Sequence, residues 1–420
     1  MQSIKYKPLK NEYLEQLDWK SLSANRNAIS LLELYPEKID WKILSRNPNA
    51  IPLLEKFPEK INWPWLSENP NAIPLLEKNI ENISWFKLSS NPNAIPLLER
   101  FPEKIVWLTL SGNPNAIPLL EKMMEENPDR LDETLLCRNP NAIPLLEKYP
   151  EMIDWAYLSI NPNAIPLLEH NPEKINWMYL SSNPNAIHLL EHNPERIDWF
   201  WLSENPNAIP LLENMLKRDP EKIYWGFLSK NPNAVHLLEK NFEKIDWINL
   251  SKNPNAIHLL EKYPEKIDWT TLSQNPNALH LLEKYPDKIN WWFLSMNPNA
   301  IHILEKYPEK ISWSMLSYNP NAIHLLEKNQ YKIDWGCLSR NPNAIHLLKN
   351  NIQNIDWWFL SMNPNFMDVI GELDYEAMKK AIQPLAEELA QWTNDPRRYG
   401  SPEEFIERQI ILGFREEDTE

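Results

Sequence analysis

Glycine and cysteine are scarce in this chain, which has six glycines and two cysteines in 420 residues. Nucleotide-binding enzymes cradle phosphates with glycine-rich loops, so the scarcity of glycine argues against that class. The two cysteines, Cys137 and Cys337, lie far apart in the sequence. We therefore expect two reduced thiols in an intracellular compartment and no disulfide.

Basic residues are outnumbered, and long apolar runs are missing. The chain has 43 lysines and arginines against 58 acidic residues, a formal charge of −15. Because phosphate backbones are bound by clustered cations, this balance argues against a general nucleic-acid role. No apolar run reaches the roughly 18 residues that span a bilayer, and no charged-then-apolar leader is seen. Neither membrane insertion nor secretion is predicted.

What the sequence does have is a repeat, which residues 253–274 illustrate: NPNAIHLLEKYPEKIDWTTLSQ. We count positions from a tryptophan taken as zero. The step is 22 residues, except for two steps of 26 that begin at Trp107 and Trp199. The sixteen markers are Trp19, Trp41, Trp63, Trp85, Trp107, Glu133, Trp155, Trp177, Trp199, Trp225, Trp247, Trp269, Trp291, Trp313, Trp335 and Trp357. A fixed period of this size predicts a solenoid.

Each repeat predicts two helices. The residue before the marker is Asp, Asn or Ser in 14 units, with Val106 and Tyr224 as exceptions. These residue types cap helices, so a short first helix should begin at the tryptophan and end near position +5. Position +7 is proline in 15 units, and proline disfavours helix in the residue before it.

The second helix is predicted from +9 to about +16, with the Asn at +8 as its cap. Position +11 is often proline, which a helix tolerates only in its first turn. In the two longer repeats, four extra residues around 123–126 and 215–218 should add one helical turn. We also expect the asparagines at +6 and +8 to form hydrogen bonds along the array.

The repeat pattern and the change of composition after it divide the chain into three parts. Residues 1–18 resemble half a repeat and are expected to cap the N-terminal end. Residues 19–371 form the repeat array. Residues 372–420 change in composition and are expected to form a helical C-terminal cap, in which Ser401-Pro402-Glu403-Glu404 is a capping box.

No catalytic constellation stands out, and no enzymatic activity, metal or cofactor is predicted. The serine at +4 recurs in 15 units, so it is interpreted as structural. Positions +1, +2 and +5 vary most. Aromatic residues at +2 are either packed in grooves between units or contacts for a protein partner, since aromatics concentrate in interaction hot spots. They are Trp65, Tyr157, Tyr179, Trp201, Phe227, Phe293 and Phe359.

A stripe of histidines occupies +11 in the second half of the array, at His188, His236, His258, His280, His302, His324 and His346. Packed helices lie roughly 8–10 Å apart, so histidines one repeat apart cannot share a metal ion. His188 and His192 have the four-residue spacing of metal ligands, but no third ligand is evident. The stripe is interpreted as an exposed polar row, with charging near pH 6 as the alternative.

The motif NPNAI[PH]LLEK followed by P-E-K-I-D-W-x-x-L-S resembles the repeat proteins that giant nucleocytoplasmic DNA viruses of amoebae encode in multiple copies. The resemblance covers about residues 19–365. It implies a viral protein that works in the virion or in the cytoplasm, nucleus or viral factory of an infected cell. A looser similarity to bacterial leucine-rich-variant repeats, which alternate an α-helix with a short 3₁₀-helix, allows the tryptophan helix to be 3₁₀.

The expected architecture is an all-α, elongated and curved solenoid of about sixteen two-helix repeats. The leading functional hypothesis is a non-enzymatic scaffold for host or viral protein partners. One alternative is a structural spacer of the virion. The other is RNA binding, because helical repeats can read one base each; a continuous positive stripe on the concave face would favour it.

Overall fold

The computed structural model describes residues 9–372, and within that range every regular element is helical. Each repeat contributes a first helix that begins at the marker position and a second helix that begins at +10, or at +9 in the last repeat. In most repeats a single 3₁₀ turn follows at +17 to +19. The predicted all-α solenoid of two-helix repeats is therefore confirmed. The predicted C-terminal cap lies outside the described residues, apart from residue 372.

The helix bounds follow the repeat closely. The first helices are Trp19–Ala24, Trp41–Leu44, Trp63–Glu68, Trp85–Ser89, Trp107–Leu110, Glu133–Arg138, Trp155–Ile160, Trp177–Ser182, Trp199–Glu204, Trp225–Lys230, Trp247–Lys252, Trp269–Leu272, Trp291–Met296, Trp313–Tyr318, Trp335–Ser339 and Trp357–Met362. The second helices are Ile29–Leu34, Ile51–Lys56, Ile73–Glu77, Ile95–Arg100, Ile117–Glu126, Ile143–Lys148, Ile165–Glu169, Ile187–His192, Ile209–Arg218, Val235–Glu239, Ile257–Lys262, Leu279–Lys284, Ile301–Lys306, Ile323–Lys328, Ile345–Lys349 and Phe366–Ile370.

The 3₁₀ turns complete the set, together with one short helix before the first repeat, Asn11–Leu14. The turns are Pro36–Lys38, Pro58–Lys60, Ile80–Asn82, Pro102–Lys104, Pro128–Arg130, Pro150–Met152, Pro172–Lys174, Pro220–Lys222, Phe242–Lys244, Pro264–Lys266, Pro286–Lys288, Gln330–Lys332 and Ile352–Asn354. The 3₁₀ geometry allowed for the tryptophan helix thus occurs at the Pro-Glu-Lys segment instead, and the tryptophan helix is α-helical.

The residue before each marker caps the first helix as predicted wherever it is Asp or Asn. In repeat two, for example, the Asp40 carboxylate accepts a hydrogen bond from the Ile43 backbone N–H at 3.0 Å. Ser84 and Ser312 form no such side-chain bond. Val106 and Tyr224 cannot cap in this way, yet their helices also form. Packing between repeats therefore holds the helix where the cap is missing.

The predicted cap of the second helix was wrong. The N-cap residue is the Ala at +9, which has no capping side chain. The Asn at +8 serves the neighbouring repeat instead: Asn71 donates its side-chain N–H to the Pro48 carbonyl at 3.1 Å. Its backbone N–H donates to the Asn69 side chain at 3.1 Å, which closes the turn. The proline at +11 still falls in the first helical turn, where it costs little.

One continuous apolar core runs through all the repeats. In repeat three, Leu66, Ala72 and Leu76 are fully buried, and Ile83 is nearly so. The same positions of the other repeats join a single cluster that extends from Leu9 to Ile370. A single repeat has no such core of its own, so each repeat depends on the neighbours that cover it on both sides.

The two four-residue insertions behave as predicted. They lengthen the second helices to ten residues each, Ile117–Glu126 and Ile209–Arg218. The hydrogen bonds between repeats continue past them. Across the first insertion, Asn139 donates to the Asn113 carbonyl at 3.0 Å.

The serine at +4 is the hub of the contact between repeats. Fully buried Ser45 donates its hydroxyl to the Trp41 carbonyl at 2.7 Å and accepts the backbone N–H of Asn62 at 3.0 Å. The Ser45 carbonyl accepts an N–H from the Asn69 side chain. The hydroxyl thus ends one helix and anchors the start of the next repeat.

The asparagine at +6 adds a second bond at every step except that of Asn297, as expected from the sequence. Asn69 is almost fully buried, and its side chain donates both to Ser45 and to the Asn47 carbonyl, at 3.1 Å. One gap interrupts this ladder: within the described residues, the Asn297 side-chain nitrogen and the Trp107 indole N–H are the buried polar atoms without a partner.

The array has no open end, because the first repeat bonds to the last. The backbone N–H of Asp18 donates to the Ser361 hydroxyl at 2.9 Å. The Asn25 side chain donates to the carbonyls of Ser361 and Asn363, at 3.3 and 3.1 Å. These are the same bonds that join every other pair of repeats. The N–H bond to the +4 side chain recurs at all sixteen steps of a closed circuit.

The two ends of the described chain build the sixteenth repeat together. Repeat sixteen begins at Trp357, and its second helix is Phe366–Ile370. Residues 9–18 supply the segment that normally follows the second helix of a repeat. Tyr13 stacks on Trp357 with ring centroids 5.1 Å apart, as Phe57 packs on Trp41 within repeat two at 5.3 Å. Leu9, Tyr13 and Leu17 are buried in the common core. We call this split repeat the joint. Residues 9–18, the described part of the predicted N-terminal cap, therefore lie between the last repeat and the first, where the sequence predicted an open end.

The first helices form the inner wall of this ring. Successive first helices lie within 8 Å along most of the circuit, whereas second helices rarely come so close. Because both walls hold sixteen helices, the more closely spaced wall is the inner one. Sixteen axes roughly 8–10 Å apart give an inner wall about 40–50 Å across. Side chains reduce the opening, which we call the lumen, to about 30–40 Å.

Ring closure predicts that residues 20 and 358 are neighbours. In a chain with Cys137→Ser and Cys337→Ser, the pair Lys20→Cys and Trp358→Cys should be joined within one molecule by a bifunctional maleimide spanning about 10 Å, the spacing of adjacent helices. Mass spectrometry of the digested monomer measures the link. The control pair Lys20→Cys and Ile248→Cys spans the ring and should stay unlinked. An unlinked 20–358 pair would mean that the solenoid is open.

The bonds of the +4 serine predict how much stability is lost when one hydroxyl is removed. Ser159→Ala leaves the buried N–H of Asn176 without its acceptor, so the free energy of unfolding should fall by about 1–3 kcal/mol. Urea unfolding followed by tryptophan fluorescence measures it. Exposed Ser90→Ala is the control and should change stability by less than about 0.5 kcal/mol. If both variants lowered the free energy of unfolding equally, the buried serine hydroxyl would not be an important contact between repeats.

Candidate interaction surface on the inner wall

The inner wall collects nearly all the exposed apolar side chains that the structure describes. Fifteen large hydrophobic residues are exposed, and thirteen of them occupy positions −1, +1, +2 or +5 of the first helices. They are Phe86, Leu108, Leu135, Ile160, Met178, Phe200, Trp201, Tyr224, Ile248, Trp292, Met296, Tyr318 and Trp358. The other two, Leu34 and Tyr331, lie outside these rows. Because a single protein chain seldom exposes this much apolar area on one face, the inner wall is the candidate interaction surface.

The aromatic residues predicted at +2 all belong to this wall, but most of them are only partly exposed. Trp65, Tyr157, Tyr179, Phe227, Phe293 and Phe359 are half-buried, and Trp201 is 38% exposed. Tyr157 and Tyr179 stack on each other with centroids 6.5 Å apart. The packing role considered for these residues therefore applies, because they fill the grooves between first helices. Contact with a protein partner stays a prediction.

The sequence reasoning missed the row at +1, which is more exposed. Phe86 and Ile248 are each 55% exposed, and Trp358 is 51% exposed. The signal was available, because +1 was recognised as variable. Its residues are mixed aliphatic, aromatic and polar, so the row lacks the aromatic pattern that singled out +2. The +2 side chains lie in the grooves between first helices, as the Tyr157–Tyr179 stack shows, and are therefore less exposed.

One arc of the wall is an aromatic cluster. Phe200 lies edge-on to Tyr224 and Phe227, with centroids 4.8 Å apart in each pair. Trp201 is 5.4 Å from Phe200. Such edge-to-face contacts hold the rings in fixed positions. A cleft between Tyr224, Phe227 and Lys230 continues the cluster along the wall.

Charge on the inner wall is uneven. Lys20, Lys42, Arg46 and Lys87 lie in the first four repeats, with Glu68 among them. Further along, Arg138 and Arg340 are single cations, whereas Lys230 and Lys252 occupy +5 of adjacent repeats, between Glu204 and Gln274. The capping aspartates add half-buried carboxylates along the edge where the first helices begin. Over the described residues the basic groups do not form a continuous stripe.

The histidine row lies on the outer wall and is exposed throughout. Each histidine contacts the glutamate at +14 of the preceding repeat, as His324 contacts Glu305 at 2.9 Å. The same contact joins His188 to Glu169, His236 to Glu213, His258 to Glu239, His280 to Glu261, His302 to Glu283 and His346 to Glu327. The row is thus a chain of exposed histidine–glutamate contacts, each worth little alone.

Lysine–glutamate bonds add further contacts on the outer wall. A hydrogen bond from Lys306 lowers the pKa of Glu283, to which His302 is also close. Bonds to Glu125 and Glu121 raise the pKa of Lys148. The His192 ring is bonded to the His188 carbonyl at 2.7 Å. No group of three potential metal ligands occurs in residues 9–372, and the predicted absence of a metal stays a prediction for the whole chain.

The two cysteines occupy different places. Cys137 replaces the hub serine of its repeat, is fully buried, and accepts the Asp154 backbone N–H at 3.2 Å. Burial raises its thiol pKa to about 12. Cys337 lies at +2 on the inner wall, half-buried, and burial also raises its thiol pKa. Both are free thiols. Across residues 9–372, no helix has the length and apolarity needed to cross a membrane.

The pKa of Cys137 predicts its chemical reactivity. At pH 8 a thiol with a pKa of about 12 is ionised in roughly one molecule in ten thousand, and the thiolate is the reactive form. A maleimide at pH 8 should therefore label Cys337 slowly and leave Cys137 unlabelled until the chain is unfolded in urea. Peptide mass spectrometry measures both sites, and Cys337→Ser should abolish labelling of the folded chain. Rapid labelling of Cys137 in the folded chain would contradict its burial.

Comparison with models of known protein families, with curated proteins and with solved structures found no match to this chain.

Proposed function

We propose that this protein is a non-enzymatic ring scaffold that holds a protein partner against its inner wall. The observation that carries the proposal is the concentration of exposed apolar side chains on that wall, while the outer wall carries paired charges. Burying aromatic and aliphatic anchors is the main source of affinity in protein interfaces. The lumen, about 30–40 Å wide, is wide enough for a helical bundle or a small domain.

If the repeat belongs with the giant-virus proteins it resembles, this role would be exercised in the virion or in an infected amoeba, with a host or viral protein as the partner. The alternative of RNA binding draws little support. A strand-binding groove combines aromatic platforms with a basic track, and over the described residues the basic side chains are interrupted by apolar ones. The role of a virion spacer remains as an outcome of the test below.

The test compares two variants built from residues that other repeats carry at the same positions. The inner-wall variant is Phe86→Thr, Ile248→Thr, Trp292→Thr and Trp358→Thr, since Thr134 and Thr270 occupy +1 elsewhere. The outer-wall control is Leu34→Lys with Tyr331→Glu. Tagged proteins are incubated with amoeba lysate, and captured proteins are identified and then titrated as purified partners. Circular dichroism verifies that both variants keep the fold.

Partners bound by the wild type and by the outer-wall control should bind the inner-wall variant at least about tenfold more weakly, because several buried anchors are lost. Equal binding to all three proteins would place the interface elsewhere. If the wild type captures nothing, the spacer role is favoured.

A further inference from the structure

The inner wall of repeats one to three contains a cleft unlike the rest of the ring. The cleft, of about 400 Å³, is lined by Arg26, Lys42, Arg46 and Trp65, together with Ile43 and Pro48. It opens to the lumen at the end of the wall where the first helices finish. Three cations from two adjacent repeats and one indole thus share a single concave surface.

Arg26 is the residue that makes this cleft distinctive. It occupies position +7, where the other fifteen repeats have proline. The exchange adds an exposed guanidinium to the Asn-x-Asn turn. The turn itself keeps its bonds: the Asn27 backbone N–H donates to the Asn25 side chain at 3.0 Å. The charge is therefore added to a turn that folds like the others.

The other cations are held beside Trp65. The Arg46 guanidinium carbon is 5.0 Å from the centroid of the indole, and the Lys42 ammonium is 5.7 Å from it. Contacts of this length are cation–π interactions. They fix the direction of two long side chains, which lowers the entropy lost when a ligand binds them.

The cations outnumber the carboxylate that faces them. Glu68 is the nearest acidic group across the cleft, 3.9 Å from Arg46, and Lys87 approaches its other oxygen at 3.5 Å. Lys87 therefore shares Glu68 and leaves Arg26, Lys42 and part of Arg46 without a carboxylate partner among the cleft residues. In a chain with a formal charge of −15, this is a local concentration of positive charge.

We propose that this cleft binds an acidic peptide segment of the partner protein, with two or more carboxylates seated on Arg26, Lys42 and Arg46. The proposal rests on the proposed scaffold function and adds the chemistry of the bound segment. Guanidinium groups bind carboxylates through paired hydrogen bonds. The wall continues past Lys87 with Leu108 and Leu135, so apolar side chains next to the acidic residues would be accommodated. A nucleic acid strand would meet no cation at +1, +2 or +5 of repeat five, where Leu108, Thr109 and Gly112 stand.

The test titrates full-length protein with a fluorescein-labelled peptide that carries four glutamates followed by two leucines and a phenylalanine. The matched peptide has glutamine for glutamate. The cleft variant is Arg26→Pro, Lys42→Thr and Arg46→Ser, which restores residues found at these positions in other repeats. The control variant, Arg138→Ser, Lys252→Ser and Arg340→Ser, removes three positive charges from the same wall outside the cleft. Fluorescence anisotropy reports the dissociation constants.

The glutamate peptide should bind wild type and control within about twofold of each other, and the cleft variant at least about tenfold more weakly. The glutamine peptide should bind poorly to all three. Glu68→Ser should tighten binding severalfold, because it removes the carboxylate that competes for Arg46. A structural role alone would not produce tighter binding in this variant.

Three results would overturn the assignment. Equal weakening of the cleft and control variants would mean a diffuse charge effect. Absence of peptide binding at low salt would mean that the cleft binds no carboxylates. Tighter binding of a single-stranded RNA of equal charge, lost in the cleft variant, would assign the site to nucleic acid. None of these results would affect capture of a partner by the inner wall. The experiment therefore distinguishes failure of the cleft proposal from failure of the scaffold proposal.

Discussion

The structure depends on a single hydrogen bond that is repeated sixteen times. A buried hydroxyl, or the Cys137 thiol in one repeat, accepts the backbone N–H that precedes the next first helix. Each such N–H would otherwise be a buried donor without a partner, at a cost of about 1–3 kcal/mol. The bond sets the distance and angle between neighbours, and the Asn ladder fixes the same geometry from the other end of the helix. Equal geometry at each step produces constant curvature, and constant curvature brings the last repeat to the first.

The different surface chemistry of the inner and outer walls follows from this curvature. The first helices are close together, so their sides are occupied by one another and only a narrow strip faces the lumen. That strip holds the positions that vary, since no neighbour constrains them. The second helices are farther apart, and their outward positions carry histidines, glutamates and lysines that pair across the gaps. The ring thus has a uniform charged exterior and an interior in which residues differ from one repeat to the next.

Much of this could be predicted from the sequence, and the part that could not has a physical reason. The caps at Asp40 and its equivalents, the apolar core and the extra helical turns follow from local chemistry, which sixteen copies make easy to read. Asn71 and its equivalents were assigned as caps because the residue type suits a cap, but their side chains are used between repeats. Closure depends on a small angle accumulated over sixteen steps, which no local pattern reveals. The spacing of Leu9, Tyr13 and Leu17, which matches positions +12, +16 and +20, was the available sign that residues 9–18 complete a repeat.

The joint is the one place where the ring is closed by non-covalent contacts and not by the continuous chain. Fifteen steps around the ring are spanned by continuous chain, and the sixteenth, between residues 9–18 and repeat sixteen, is held by side chains and hydrogen bonds alone. A partner with a free end can thread through the ring that residues 9–372 form without opening the joint. A partner that is itself continuous, such as a filament or a loop anchored at both ends, can be encircled only if the bonds at Asp18, Asn25 and Tyr13 release and form again. Cargo of that kind would be retained topologically, for as long as the joint stays closed, even if its direct contacts with the wall were weak.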